Sequence, residues 1–212
     1  NNPKEMIIKI GTVGKAMEGT EMMIADDGEI LTRGPHVMLG YYKDPEYTKT
    51  VIDEDGWLHT GDIGVMVDKI FLKITDRKKE IFKLSAGKYI APQVIENMLK
   101  ESSYIENCMI VGENQKFASA IIVPDFNRLH FWAAKNKIHY NDNQDLITAK
   151  INREIENANK KLAPHEQIKR VKLVADEWTP LNDLLSQTLK LKRHNLKAKY
   201  QSLINDIYKN EN

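Results

Sequence analysis

The feature that most restricts the fold is a change of apolar periodicity at the charged run Asp76-Arg77-Lys78-Lys79-Glu80. Upstream, the short runs Met6 to Ile10, Glu21 to Ala25, Glu29 to Arg33, Ile63 to Val67 and Ile70 to Ile74 are β-compatible. Asp26-Asp27-Gly28 is a strong hairpin signal, because Asp and Gly tolerate the positive φ that such turns need. Asp68-Lys69 predicts a second tight hairpin, with less favourable turn residues. A small antiparallel barrel or twisted sheet is the simplest architecture for this part.

Downstream, strands and helices alternate. Pro92 suits a first helical position, and Val94, Ile95, Met98 and Leu99 then share one face. Ile105 to Gly112, Ala118 to Pro124 and Lys169 to Val174 read as strands. Leu129, Trp132 and Ala133 repeat at helical spacing, as do Leu146, Ile147, Ile151, Ile155 and Ala158. Leu196, Tyr200, Leu203, Ile204 and Ile207 form the apolar stripe of a closing helix. The predicted class is α+β, a small β-barrel-like part followed by an α+β part. A charged run without apolar pattern is a solvated turn or a domain boundary.

Composition excludes several functions. Thirty-one basic and thirty acidic side chains leave a formal charge of +1, which argues against nucleic acid as a partner. No apolar run approaches the roughly 20 residues that span a bilayer, although peripheral membrane contact stays open. The one cysteine, Cys108, lies in an apolar run and reads as a buried small hydrophobe. A reducing, cytoplasmic setting is the natural expectation. The chain does not begin with methionine, and strand-like residues follow almost at once, as in a segment of a longer protein.

Four segments carry chemistry. Gly28-Glu29-Ile30-Leu31-Thr32-Arg33-Gly34, running on to Gly40-Tyr41-Tyr42 and Thr48, says by itself only strand, turn and loop. In Gly56-Trp57-Leu58-His59-Thr60-Gly61-Asp62 the glycine allows a tight turn, and the carboxylate can accept two bonds from vicinal hydroxyls. His59 reads as packed or exposed rather than catalytic. Asp76-Arg77-Lys78-Lys79-Glu80-Ile81 precedes Lys83-Leu84-Ser85-Ala86-Gly87-Lys88, whose glycine permits close backbone or ligand approach. Thr188-Leu189-Lys190-Leu191-Lys192-Arg193 is a cationic cluster, either a solvated face or a clamp for phosphate or carboxylate.

Each segment is weak alone. In this order and at these separations they resemble the late motifs of AMP-forming acyl-CoA synthetases, in the adenylate-forming superfamily. The segment around Gly87 and Ala118-Ser119-Ala120-Ile121-Ile122-Val123-Pro124 resemble the long-chain fatty acyl-CoA synthetases most. The resemblance implies that residues 1–77 close a large adenylation domain and that 78–212 form a mobile C-terminal lid. It gives Asp62 the ribose hydroxyls of ATP, Arg77 a nucleotide contact and Lys79 the hinge. Ser85, Ala86 and Gly87 then line the path of CoA. The family's catalytic lysine stands three residues before an arginine, which selects Lys190, with Arg193 as reference. The Ser-Gly that often precedes it is replaced by Thr188-Leu189.

The implied reaction joins a fatty acid to CoA through acyl-AMP, using ATP with Mg2+ whose ligands lie outside this chain. The chain alone is then expected not to turn over. An aryl- or carrier-protein-loading relative, and a non-catalytic module that kept the lid fold, stay open at this point.

Overall fold

A computed structural model describes residues 8–140 and 144–209 of the chain. The chain divides after Ile81 into two compact units.

The first unit is an antiparallel meander of β1 (Glu21–Ile24), β2 (Glu29–Arg33), β3 (Leu58–Val67) and β4 (Phe71–Arg77), in that spatial order. The β1–β2 turn is the one Asp26-Asp27-Gly28 predicts, with Gly28 at φ 85°. Asp68 and Lys69 also turn the chain, both at positive φ, and the Ile70 amide donates to the Val67 carbonyl at 3.2 Å. Met6 and Ile7 of the first expected strand lie outside the described residues. Ile8 to Ile10 form no strand; the chain turns there, with the Thr12 amide bonded to the Lys9 carbonyl. A helix absent from the sequence reading, α1 (Pro45–Val51), joins β2 to β3. Its signal was present: Asp44 caps it by accepting from the Tyr47 amide, and Pro45 takes the first position.

The second unit holds a short hairpin, β5 (Phe82–Lys83) with β6 (Tyr89–Ile90). After it come α2 (Pro92–Leu99), β7 (Ile105–Val111), β8 (Ala118–Pro124), α3 (Phe126–Lys135), α4 (Gln144–Asn159) and β9 (Ile168–Leu173). β8 is the centre of a three-stranded sheet, antiparallel to β7 and parallel to β9. A parallel pair needs a long crossover, here α3 and α4. Both faces of the sheet are covered, so every residue of β8 is buried and all but Ser119 are apolar. On one face Cys108, Ile110, Ala120 and Ile122 meet Ile95, Leu129 and Ile151. On the other, Met109, Ile121 and Val123 meet Trp178, Leu185, Leu196 and Tyr200. Cys108 is buried as expected, and that burial pushes its thiol pKa far up.

The predicted closing helix is two helices, α5 (Arg193–Lys199) and α6 (Gln201–Tyr208). Tyr200 sits at the junction because its side chain is held elsewhere. Its hydroxyl donates to Asp176 at 2.9 Å and accepts from the Trp178 indole at 3.0 Å. Apolar spacing runs on through such a break, so the pattern alone does not reveal it.

Candidate functional site

The nucleotide residues that the resemblance names meet on neighbouring strands, Asp62 within β3 and Arg77 at the end of β4. Asp62 on β3 is paired in register with Arg77 on β4, and Arg77 Nε lies 2.8 Å from Asp62 Oδ1. That contact uses one oxygen of the carboxylate and one nitrogen of the guanidinium. Asp62 Oδ2 and the two terminal nitrogens of Arg77 take no bond among the described residues. Two vicinal hydroxyls need an acceptor such as Oδ2, and a phosphate suits a guanidinium fork.

The stretch of β3 carrying Asp62 bulges against β2 and is held at every step. Gly61 has φ 72°, a left-handed conformation costly to other residues, while a β-carbon there would meet nothing within 4 Å. The glycine is needed for its backbone, then, and not for space. The Thr60 hydroxyl donates to the Ile30 carbonyl at 2.7 Å and accepts from the Asp62 amide at 3.1 Å. The Lys78 amide donates to the Gly61 carbonyl at 2.8 Å. Beside this bulge opens a cavity of about 780 Å³, lined by Tyr41, Tyr47, His59, Gly61, Arg77 and Lys79 among others. This is the volume of a small-molecule site.

One residue of this corner escaped the sequence reading. Glu29 is buried, 4% exposed, and its carboxylate accepts three bonds. They come from the Gly61 amide at 2.9 Å, from His59 Nδ1 at 3.0 Å and from Lys78 Nζ at 2.7 Å. Burial alone would raise its pKa, but the bonds from Lys78, His59 and Gly61 outweigh burial and hold it below the usual carboxylate range. Its folded pKa is depressed, so its stabilising effect is present at neutral pH and lost as pH falls through that lowered value. His59 is a half-exposed partner of this carboxylate. Glu29 was visible only as one residue of a strand; its partners stand 30 to 49 positions away.

The charged run is not uniformly solvated. Asp76 is fully buried and accepts from the Arg77 amide. Lys78 is tied to Asp27 at 2.6 Å and to Glu29, and these bonds, Asp27 first, raise its pKa. Lys79 next to it makes no hydrogen bond or ion pair among the described residues.

In the second unit, Ser85, Ala86 and Gly87 form the tip of the β5–β6 hairpin. The Gly87 amide donates to the Leu84 carbonyl, and the Leu84 amide to the Lys88 carbonyl, each at 2.8 Å. The Ser85 amide donates to Gln115, which pins the tip against the β7–β8 turn. The late lysines differ sharply. Lys192 is paired with Asp183, whereas the exposed Lys190 ammonium has no partner among the described residues. Lys190 ends a small hairpin whose exit is anchored by Arg193. That guanidinium grips the buried Glu96 of α2 with two bonds, 2.9 and 2.6 Å, while Glu96 also accepts the Ile110 amide. Among the described residues no group of three or more His, Cys, Asp or Glu is placed to hold a metal, and no helix is long and apolar enough to cross a membrane.

Human long-chain-fatty-acid–CoA ligase 1 is 40% identical over 194 residues, covering 88% of this chain and 28% of the ligase. Human long-chain-fatty-acid–CoA ligase 6 is 42% identical over 190 residues, covering 86% of this chain and 27% of the ligase. The chain thus spans between about a quarter and about a third of the curated relatives it matches. The adenylation domain of a carboxylate reductase from Mycobacterium chelonae shares the fold, with a TM-score of 0.78 at 24% identity, over 94% of this chain and 32% of that one. Residues 79–212 match the family described as the AMP-binding enzyme C-terminal domain, and the chain belongs to that family.

Proposed function

We propose that this chain is the C-terminal part of a long-chain fatty acyl-CoA ligase. In the first step a fatty carboxylate oxygen attacks the α-phosphorus of ATP, and pyrophosphate leaves. In the second the CoA thiol attacks the acyl carbon, and AMP leaves. Asp62 holds the ribose hydroxyls and Arg77 a nucleotide phosphate; the unspent Oδ2 and guanidinium nitrogens support this division. Lys79 is the hinge between residues 1–77 and the mobile part, 78–212. The clamped Lys78 supports a pivot that begins immediately after it. Ser85, Ala86 and Gly87 border the path of CoA. Magnesium accompanies the ATP and offsets phosphate charge, on ligands outside this chain. We place the protein in the cytoplasm.

The observation that carries this reading is the difference between the two late lysines. Adenylation brings an anionic carboxylate to an anionic phosphate. Two unit charges about 4 Å apart repel by about 4 kcal/mol at an effective dielectric near 20. An ammonium with no other partner can offset much of that, and Lys190 is such a group whereas Lys192 is neutralised by Asp183. In the full-length enzyme, Lys190→Ala is expected to slow pyrophosphate release by about two to three decades. Thioester formation from synthetic acyl-AMP should be nearly unchanged, and Lys192→Ala should be mild in both assays. Equal losses in both half-reactions, or a selective defect in Lys192→Ala instead, would remove Lys190 from this role.

A further inference from the structure

The bulge of β3 that aims Asp62 is fastened to one buried carboxylate. Glu29 Oε1 accepts the Gly61 amide at 2.9 Å, one peptide away from Asp62. Glu29 Oε2 takes Lys78 Nζ at 2.7 Å, and the amide of the same Lys78 holds the Gly61 carbonyl at 2.8 Å. Both sides of Gly61 are therefore fixed through the Glu29–Lys78 pair, one directly and one through the lysine's backbone. Gly61 needs this. Its φ of 72° lies at the bulge where β3 slips register against β2, so the strand ladder by itself does not fix this peptide. With Glu29 at 4% exposure, its bond to the Gly61 amide is shielded from competing water. Glu29 has no route to a substrate as an acid or base, since its oxygens are taken and buried.

We infer that Glu29 is the positioning residue of the ribose site: by holding the Gly61 peptide it sets where the Asp62 carboxylate points. The inference rests on the reading of Asp62 as the ribose ligand. Its signature lies in nucleotide selectivity and not in overall rate. An aimed Asp62 distinguishes ATP from 2′,3′-dideoxy-ATP, which lacks the hydroxyls. A misaimed one does not, although triphosphate binding survives.

The experiment uses the full-length ligase and compares kcat/KM for the two nucleotides in pyrophosphate release. Glu29→Asp keeps the charge for Lys78 but withdraws the carboxylate by one methylene from the Gly61 amide. Glu29→Gln keeps the reach and loses the charge, and serves as the second variant. A partly unfolded preparation lowers both rates alike and leaves their ratio untouched. The ratio is expected to fall about tenfold in Glu29→Asp, the equivalent of one good hydrogen bond, and by a smaller factor in Glu29→Gln. Asp62→Ala should abolish it. If Asp62→Ala loses the discrimination while both Glu29 variants keep it, the positioning role is overturned and the ribose assignment stands. If Asp62→Ala keeps the discrimination, the ribose assignment itself is wrong and the inference goes with it.

Discussion

Two turns in the second unit share a hydrogen-bond pattern and fill its left-handed position with different kinds of residue. In Leu84–Lys88 the fourth residue donates to the carbonyl of the first, and the first donates to the carbonyl of the fifth. Ser186–Lys190 repeats this: the Leu189 amide bonds to Ser186 at 2.9 Å and the Ser186 amide to Lys190 at 2.8 Å. The same pattern closes Ala25–Glu29 and Asp53–Trp57 in the first unit. Its fourth position is left-handed, and glycine fills it at Gly28, Gly56 and Gly87. In the turn that delivers Lys190 it is Leu189, at φ 59° and 64% exposed. A leucine there carries backbone strain of about 1–2 kcal/mol, with little packing in return. The Gly87 turn is shaped by its own residues; the Lys190 turn is held in shape by what surrounds it.

The sharpest way to break this contrast is to remove the support. Arg193→Ala leaves the buried Glu96 without its bidentate partner, and breaking such a pair costs about 3–5 kcal/mol. Urea unfolding of the second unit should show that loss. Hydrogen exchange should then speed up at the Leu189 and Ser186 amides more than at the Gly87 and Leu84 amides. Equal acceleration in both turns would mean that Arg193 stabilises the unit generally and does not anchor the hairpin.

The next effect is smaller. Gly87→Ala places a β-carbon 3.6 Å from Lys83 Cε, an ordinary contact, so the cost comes from the φ of 83° alone. It is expected to be about 1–2 kcal/mol, read as a lower denaturation midpoint. A neutral result would show that the turn relaxes to another geometry.

The smallest effect has the opposite sign. Leu189→Gly relieves the left-handed strain but makes the unfolded chain more flexible by about 0.5–1 kcal/mol. The net expectation is a gain of about 0.5–1 kcal/mol in stability. Destabilisation would reveal that the leucine side chain packs in the folded protein and that its exposure understates its role.

The fold was legible wherever a segment's own chemistry decides its shape. Asp26-Asp27-Gly28 makes its turn, Pro92 opens its helix, and the largely apolar run of β8 is a strand covered on both faces. The Asp44-Pro45 start of α1 carried an equally local signal that the reading passed over. The break at Tyr200 carried none, because it is set by Asp176 and Trp178, more than twenty residues away. Among the candidate residues, the order of motifs named Asp62, Arg77 and Lys190 through resemblance, and register then brought Asp62 and Arg77 side by side.

Residue order by itself determined which backbone positions can turn, which stretches can be buried and which motif each polar residue belongs to. Those properties depend on φ preference and on apolar spacing, both local. Tertiary structure alone decided what each charge does. It buried Glu29 under Gly61 and Lys78, gave Arg193 to Glu96, and paired Lys192 with Asp183 while leaving Lys190 without a partner. The physical reason is that a charge is neutralised or left available by whatever lies within a few ångströms of it, and here those neighbours come from 9 to 97 residues away along the chain.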